Sequence, residues 1–183
     1  MLPINQRYYI TSRIAVSYFT AMFPHLHPAT VHFPIALLLL AAGAGLLYLH
    51  WRQHDVLRVL TWWPLLLGWL GNSVAILTGL LAQSGLPPQA PYRPILNWHV
   101  TTGLALWVLV GFLLYRWWLQ GKVTHRRRPH AAQPPTTELL DAPGARLWLT
   151  ATLLFVIVLV FASGWNGGQL VYQWGVNVTQ QSD

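Results

Sequence analysis

The chain has eight histidines, and they carry most of the chemistry it can offer. Four of them, His25, His27, His32 and His99, stand at the start of long apolar stretches. In such surroundings an imidazole serves as a metal or haem-iron ligand, as a proton carrier or as a hydrogen-bond partner between helices. His32 lies about one turn inside the first apolar stretch, and His99 one turn or less inside the third. Both stretches run in the same direction, so the two rings reach similar depth. Ionisable residues inside a membrane are rare and costly, and each is by default a functional candidate. The remaining four histidines read differently. His50 and His54 have metal-ligand spacing, but beside Trp51 and Arg52 they suit an interface anchor. His125 and His130 fall in a basic, solvated segment.

Small residues gather at the same depth. Helical steps of four, three and four from His32 lead to Ala36, Leu39 and Gly43. The same steps from His99 lead to Gly103, Leu106 and Val110. In the second stretch Gly68, Asn72, Ala75, Gly79 and Ala82 share one face, with Gly79 near the histidine level. Where the fourth stretch ends, Gly164, Gly167 and Gly168 converge on that layer. Two imidazoles, small residues and apolar walls form the setting that haem b requires. His32 and His99 are then the expected iron ligands. Ala36, Gly79, Gly103, Gly164, Gly167 and Gly168 would lie against the macrocycle, and His27 and Arg93 at its propionate edge. Two other readings stay open. Small residues at helical spacing also mark close helix packing, and a buried His can simply bond a carbonyl or Asn97. A copper or zinc site from His27, His32 and His99 would suit three imidazoles.

Other chemistries are poorly supplied. The absence of Cys excludes disulfides, thiolate metal sites, iron–sulfur clusters and covalent haem within the chain. The four carboxylates are Asp55, Glu138, Asp141 and Asp183, and none is expected inside a span. That removes paired-carboxylate catalysis and a carboxylate proton relay. Ser73, Ser163 and Thr101 have no Ser–His–Asp framework, and Gly164–Gly168 follows a span without opening a clear helix, unlike a phosphate loop.

The elements that must position these residues are membrane helices. Apolar residues make up 54% of the chain and charged residues 8%, against roughly 25% charged in soluble domains. A spanning helix needs about 20 mainly apolar residues. Four stretches satisfy this, at residues 28–49, 59–82, 97–119 and 147–165. The expected fold is an all-α, up-down bundle of four transmembrane helices over residues 28–178. It is preceded by a short interfacial segment at 1–27, too mixed to span, and followed by a tail at 179–183. The Pro-rich connector 83–96 reads as turns, and 120–146 as a polar loop with a basic knot. No internal repeat stands out.

Charge orients the bundle. The side holding the N-terminus carries Arg7, Arg13 and Arg93. The other carries Arg52, Arg58, Arg116, Lys122, Arg126, Arg127, Arg128 and Arg146. By the positive-inside rule the second side faces the cytoplasm. Both termini are then periplasmic, in a bacterial inner membrane. The net charge of +7 thus reads as topology and anionic-lipid attraction, not as nucleic-acid binding.

The run LHPATVHFPIAL, Leu26 to Leu37, resembles the opening signature of the four-helix membrane proteins of domain of unknown function 2231. The closing GWNGGQLVYQWGVNV, Gly164 to Val178, is similar to that family's terminal pattern, and Asn97 to Gly103 fits its third-helix histidine. The resemblance covers residues 24–178; the long basic third connector and the N-terminal extension depart from it. It implies a four-helix bundle whose shared histidines hold a redox cofactor, as in small b-type cytochromes or accessory subunits of larger complexes. The expectation is an electron-transfer subunit, not an enzyme by itself. Its partners would be lipid, other membrane subunits or a periplasmic electron carrier. The alternatives are a structural or pigment-binding subunit and a copper- or zinc-binding module.

Overall fold

The computed structural model describes the backbone of residues 4–127 and 138–178, with side chains at 26–122 and 138–178. Helix α1 spans Ile4–His50, α2 Asp55–Gln83, α3 Arg93–Arg127 and α4 Ala145–Tyr172, with one 3₁₀ turn at Leu139–Asp141. No strand occurs among the described residues. Within these helices Leu26–His50, Asp55–Gln83, Arg93–Lys122 and Ala145–Tyr172 are long and apolar enough to cross a membrane. Lipid offers no partners to peptide groups, so such apolar runs fold as helices, which satisfy their own backbone. Leu77 and Phe161, about two-thirds exposed, face outward where lipid would lie.

The helices outrun the expected spans at three points. The segment before residue 28 continues into the first span as one helix, passing Pro24 and Pro28 without a break. α3 begins at Arg93 and runs to Arg127, beyond the expected end at 119. α4 continues through Gly164, Gly167 and Gly168 to Tyr172, so these glycines are helical and not part of a trailing loop. Gly and Pro are commoner in membrane helices than in soluble ones, and soluble-protein breaker rules end such helices too early. Of the basic knot, Arg128 lies outside the described residues, as does His130 after it, and residues 123–127 are described by their backbone alone.

Around the ring the neighbours are α1–α2, α2–α3, α3–α4 and α4–α1, which puts α1 and α3 on a diagonal. The core runs along one stripe of each helix. On α1 it is formed by Leu38, Ala41, Ala42 and Tyr48, and on α3 by Leu106, Val110 and Leu113. On α2 the expected face is realised: Gly68, Asn72, Ala75 and Ala82 are all buried. Two stacked indole pairs join α2 to α3, Trp62 with Trp117 at 5.1 Å and Trp69 with Trp107 at 5.3 Å between centroids. Trp69 Nε1–H donates to the Trp107 carbonyl, and Trp107 Nε1–H to Ser73 Oγ.

A repeat invisible in the linear sequence emerges from burial. Shifted by 72 positions (110 − 38), four buried residues of α1 nearest the histidine half fall on buried residues of α3: Pro34 on Leu106, Leu38 on Val110, Ala41 on Leu113 and Ala42 on Leu114. Shifted by 88 (153 − 65), α2 falls on α4: Leu65 on Leu153, Gly68 on Val156, Asn72 on Val160 and Ala82 on Leu170. Only packed positions correspond, and outward residues differ freely, which is why identity along the chain is low.

The end holding the 3₁₀ turn is closed by ions. Arg58 pairs with Asp55 at 3.1 Å, with Asp141 at 2.9 Å and with Glu138. Its Nη2 also donates to Tyr48 Oη, which donates to Asp141 at 2.7 Å. Leu139 and Leu140 are buried beneath this cluster, pinning the third connector to the bundle.

Candidate functional site

At the opposite end the polar groups are imidazoles. His27 lies on α1, in the stripe that continues through Pro34, Leu38 and Ala41. Its Nδ1 is 2.9 Å from the Ala75 carbonyl of α2 and 3.4 Å from Thr78 Oγ1. A carbonyl only accepts, so Nδ1 carries the proton, and in the neutral ring Nε2 holds the lone pair. His99 on α3 repeats this: its Nδ1–H donates to the Ser163 carbonyl of α4 at 2.9 Å. The two rings approach from the diagonal helices, with centroids 6.0 Å apart and planes 81° apart.

Two glycines make these seats possible. A β-carbon on Gly79 would stand 2.9 Å from His27 Cε1, and one on Gly167 would stand 3.1 Å from His99 Cε1. Both glycines therefore back onto imidazoles. Gly103, Gly164 and Gly168 have open space where a side chain would be. These three line a cavity of about 400 Å³, shared with His27, His99 and Asn72. Its walls are mostly apolar and its size falls within the roughly 300–1,000 Å³ of small-molecule and cofactor sites.

The structure brings His27 to His99. His32 also lines the cavity, but it is exposed and its Nδ1–H donates back to the Pro28 carbonyl of its own helix at 2.8 Å. Ala36 lies on the same outward side, exposed and away from the cavity. The cause is helical phase. Five residues separate His32 from His27, a rotation of about 140° at 3.6 residues per turn. Two residues so placed do not share a face. For the same reason no group of three or more His, Cys, Asp or Glu able to hold a metal forms among the described residues. The three-histidine copper or zinc site is therefore not assembled. Arg93 does not line the cavity. Its guanidinium donates to the Leu86 and Pro87 carbonyls at 2.5 and 2.8 Å, holding the connector before α3.

Sequence reasoning missed the hydroxyl partners. Thr30 Oγ1 donates to the His27 carbonyl and Thr102 Oγ1 to the His99 carbonyl, each at 3.0 Å. The signal was present as two H-x-x-T runs, His27 to Thr30 and His99 to Thr102. It also missed the closing turn: Gly175, at φ 60°, reverses the chain so that Val176 N–H reaches the Leu170 carbonyl at 2.9 Å. Val176 then packs on Leu96 and Leu170 beside the cavity.

No curated protein and no solved structure matches this chain. A family model described as a predicted membrane protein (DUF2231) matches residues 24–180, from before the first span to beyond the closing turn. With four apolar spanning-length helices and a match over most of its length, the chain belongs to the DUF2231 family of predicted membrane proteins.

Proposed function

We propose that the bundle binds one haem b between His27 and His99 and serves as an electron-transfer subunit of the membrane. The observation that carries this reading is the matched pair of seats. Each ring has its Nδ1–H tied to a backbone carbonyl. That is the outer hydrogen bond that fixes the tautomer of metal-ligating histidines and raises their basicity. The rings lie close enough, 6.0 Å between centroids, that a metal held by one Nε2 would stand within reach of the other ring. The apolar cavity beside the rings, with open space before Gly103, Gly164 and Gly168, supplies walls for a macrocycle.

A haem so held supplies one-electron chemistry, and the chain's residues hold and insulate it. The bias of basic residues toward the Arg58 end supports a periplasmic location for the histidine end. One haem near one face does not carry an electron across a ~30 Å core. Exchange is therefore with a periplasmic carrier or a neighbouring subunit. The experiment is the absorption spectrum of protein purified from haem-replete membranes. A Soret and an α band, lost together in His27→Ala and in His99→Ala, are expected; a colourless, folded preparation overturns the reading.

A further inference from the structure

The two halves of the histidine end correspond residue by residue. His27 and His99 each begin an H-x-x-T run whose threonine bonds the histidine's own carbonyl at 3.0 Å. Each imidazole donates at 2.9 Å to the residue four positions before the glycine that faces its ring: Ala75 before Gly79, Ser163 before Gly167. The offsets of 72 and 88 that align the buried stripes align these pairs too (99 − 27 and 167 − 79). α1 and α3 run one way, α2 and α4 the other. A rotation that carries α1 onto α3 and α2 onto α4 therefore has its axis along the helices, passing between the two rings.

The correspondence fails at a few polar positions. His32 falls on Leu104, Gln83 on Val171, Thr78 on Asn166 and Asn72 on Val160. Of these, Asn72 is the buried one: it lines the cavity and donates weakly to the Gly103 carbonyl at 3.4 Å. Val160, also lining the cavity, has nothing to donate.

We propose that this two-fold seat accepts an asymmetric porphyrin in two orientations, related by a half-turn about the axis between the imidazoles, with Asn72 setting their ratio. The proposal rests on the haem reading. A half-turn exchanges which porphyrin face meets His27 and which meets His99. Because both rings are held by the same bonds, ligation is equally strong in either orientation. Only the ring substituents find different neighbours, and most of those neighbours are apolar. Populations within tenfold of each other require energies matched within about 1.4 kcal/mol, and the symmetric seat provides that match. Asn72 gives one wall a hydrogen-bonding group that the other lacks.

The test is proton NMR of the ferric full-length protein carrying the haem it acquires in cells. Two sets of hyperfine-shifted ring-methyl resonances, in a ratio within tenfold, are expected. Asn72→Val, which gives both hairpins the same residue, moves the ratio toward one. Replacing the haem by an iron porphyrin symmetric about that axis merges the two sets. A single set in the native protein, or two sets that survive the symmetric porphyrin, overturns the proposal while leaving the haem reading intact. An unchanged ratio in Asn72→Val overturns the role of Asn72. A preparation without a Soret band overturns the haem reading and this proposal together.

Discussion

At one end of the bundle Arg58 meets Asp55, Glu138, Asp141 and the Tyr48 hydroxyl, and two buried leucines seal the connector beneath them. At the other end His27 and His99 stand beside a 400 Å³ cavity, each anchored by one backbone carbonyl. The first arrangement consumes its charges internally. The second leaves Nε2 of each ring without a hydrogen-bond partner among the described residues, with a space next to it. The difference is one of filling: the Arg58 end ties the connector and helices together with ions, and the histidine end leaves a cavity open between them.

The largest effect should come from the Arg58 end. Arg58→Leu leaves three carboxylates facing one another with no cation; breaking buried pairs costs about 3–5 kcal/mol, and at the 24% side-chain exposure of Arg58 about 2–4 kcal/mol is expected by denaturant titration in detergent. The absorption spectrum of the protein that remains folded should not change. Loss of the spectrum at full stability would erase that difference between the ends.

Next in size is a β-carbon behind an imidazole. Gly79→Ala should cost about 1–3 kcal/mol, the usual range for overpacking, because the new atom meets His27 Cε1 at 2.9 Å. It should also perturb binding of the proposed haem. Gly168→Ala, with open space ahead of it, should do neither. Equal outcomes at both glycines would break the distinction between seat and cavity.

His27→Ala removes one hydrogen bond, worth about 0.5–1.5 kcal/mol net, so the ligand-free protein should lose only about 1 kcal/mol while ligand binding is abolished. A loss as large as that of Arg58→Leu would make His27 a scaffold residue.

The smallest effect concerns pH. Burial pushes the Glu138 carboxyl above its ordinary value, against the pull of Arg58 and with help from Asp141. The folded chain then holds a proton that the unfolded chain releases from about pH 4.3 upward. This contribution is complete below the unfolded value and disappears as pH rises through the raised one. Stability measured across the mildly acidic range should therefore fall less with rising pH in Glu138→Gln than in the native chain.

The four spans were legible because lipid leaves little choice: about 20 apolar residues without acids fold as a helix. Counting residues from a span's start places His99 near one end of its helix, where it meets His27. Facing is harder to read, because it depends on phase: His27 and His32 stand about 140° apart on α1, and both line the cavity while Ala36 does not. The phase could have been fixed from Leu38, Ala41 and Ala42, which continue the His27 stripe. The gathering of Glu138 and Asp141 on Arg58, separated by 80 and 83 positions, had no local sign. The duplication escaped notice because membrane helices need to match only where they touch.

The stacked indoles add an optical property to this architecture. Trp69 and Trp107 are locked between α2 and α3, and Trp107 is eight positions from His99 on one helix, about 12 Å at 1.5 Å per residue. A porphyrin absorbs where indole emits, so if the proposed haem is bound, excitation at that range passes to it before the indole can radiate. The empty bundle should then fluoresce and a haem-loaded one should be dark, giving occupancy a readout built into the helices.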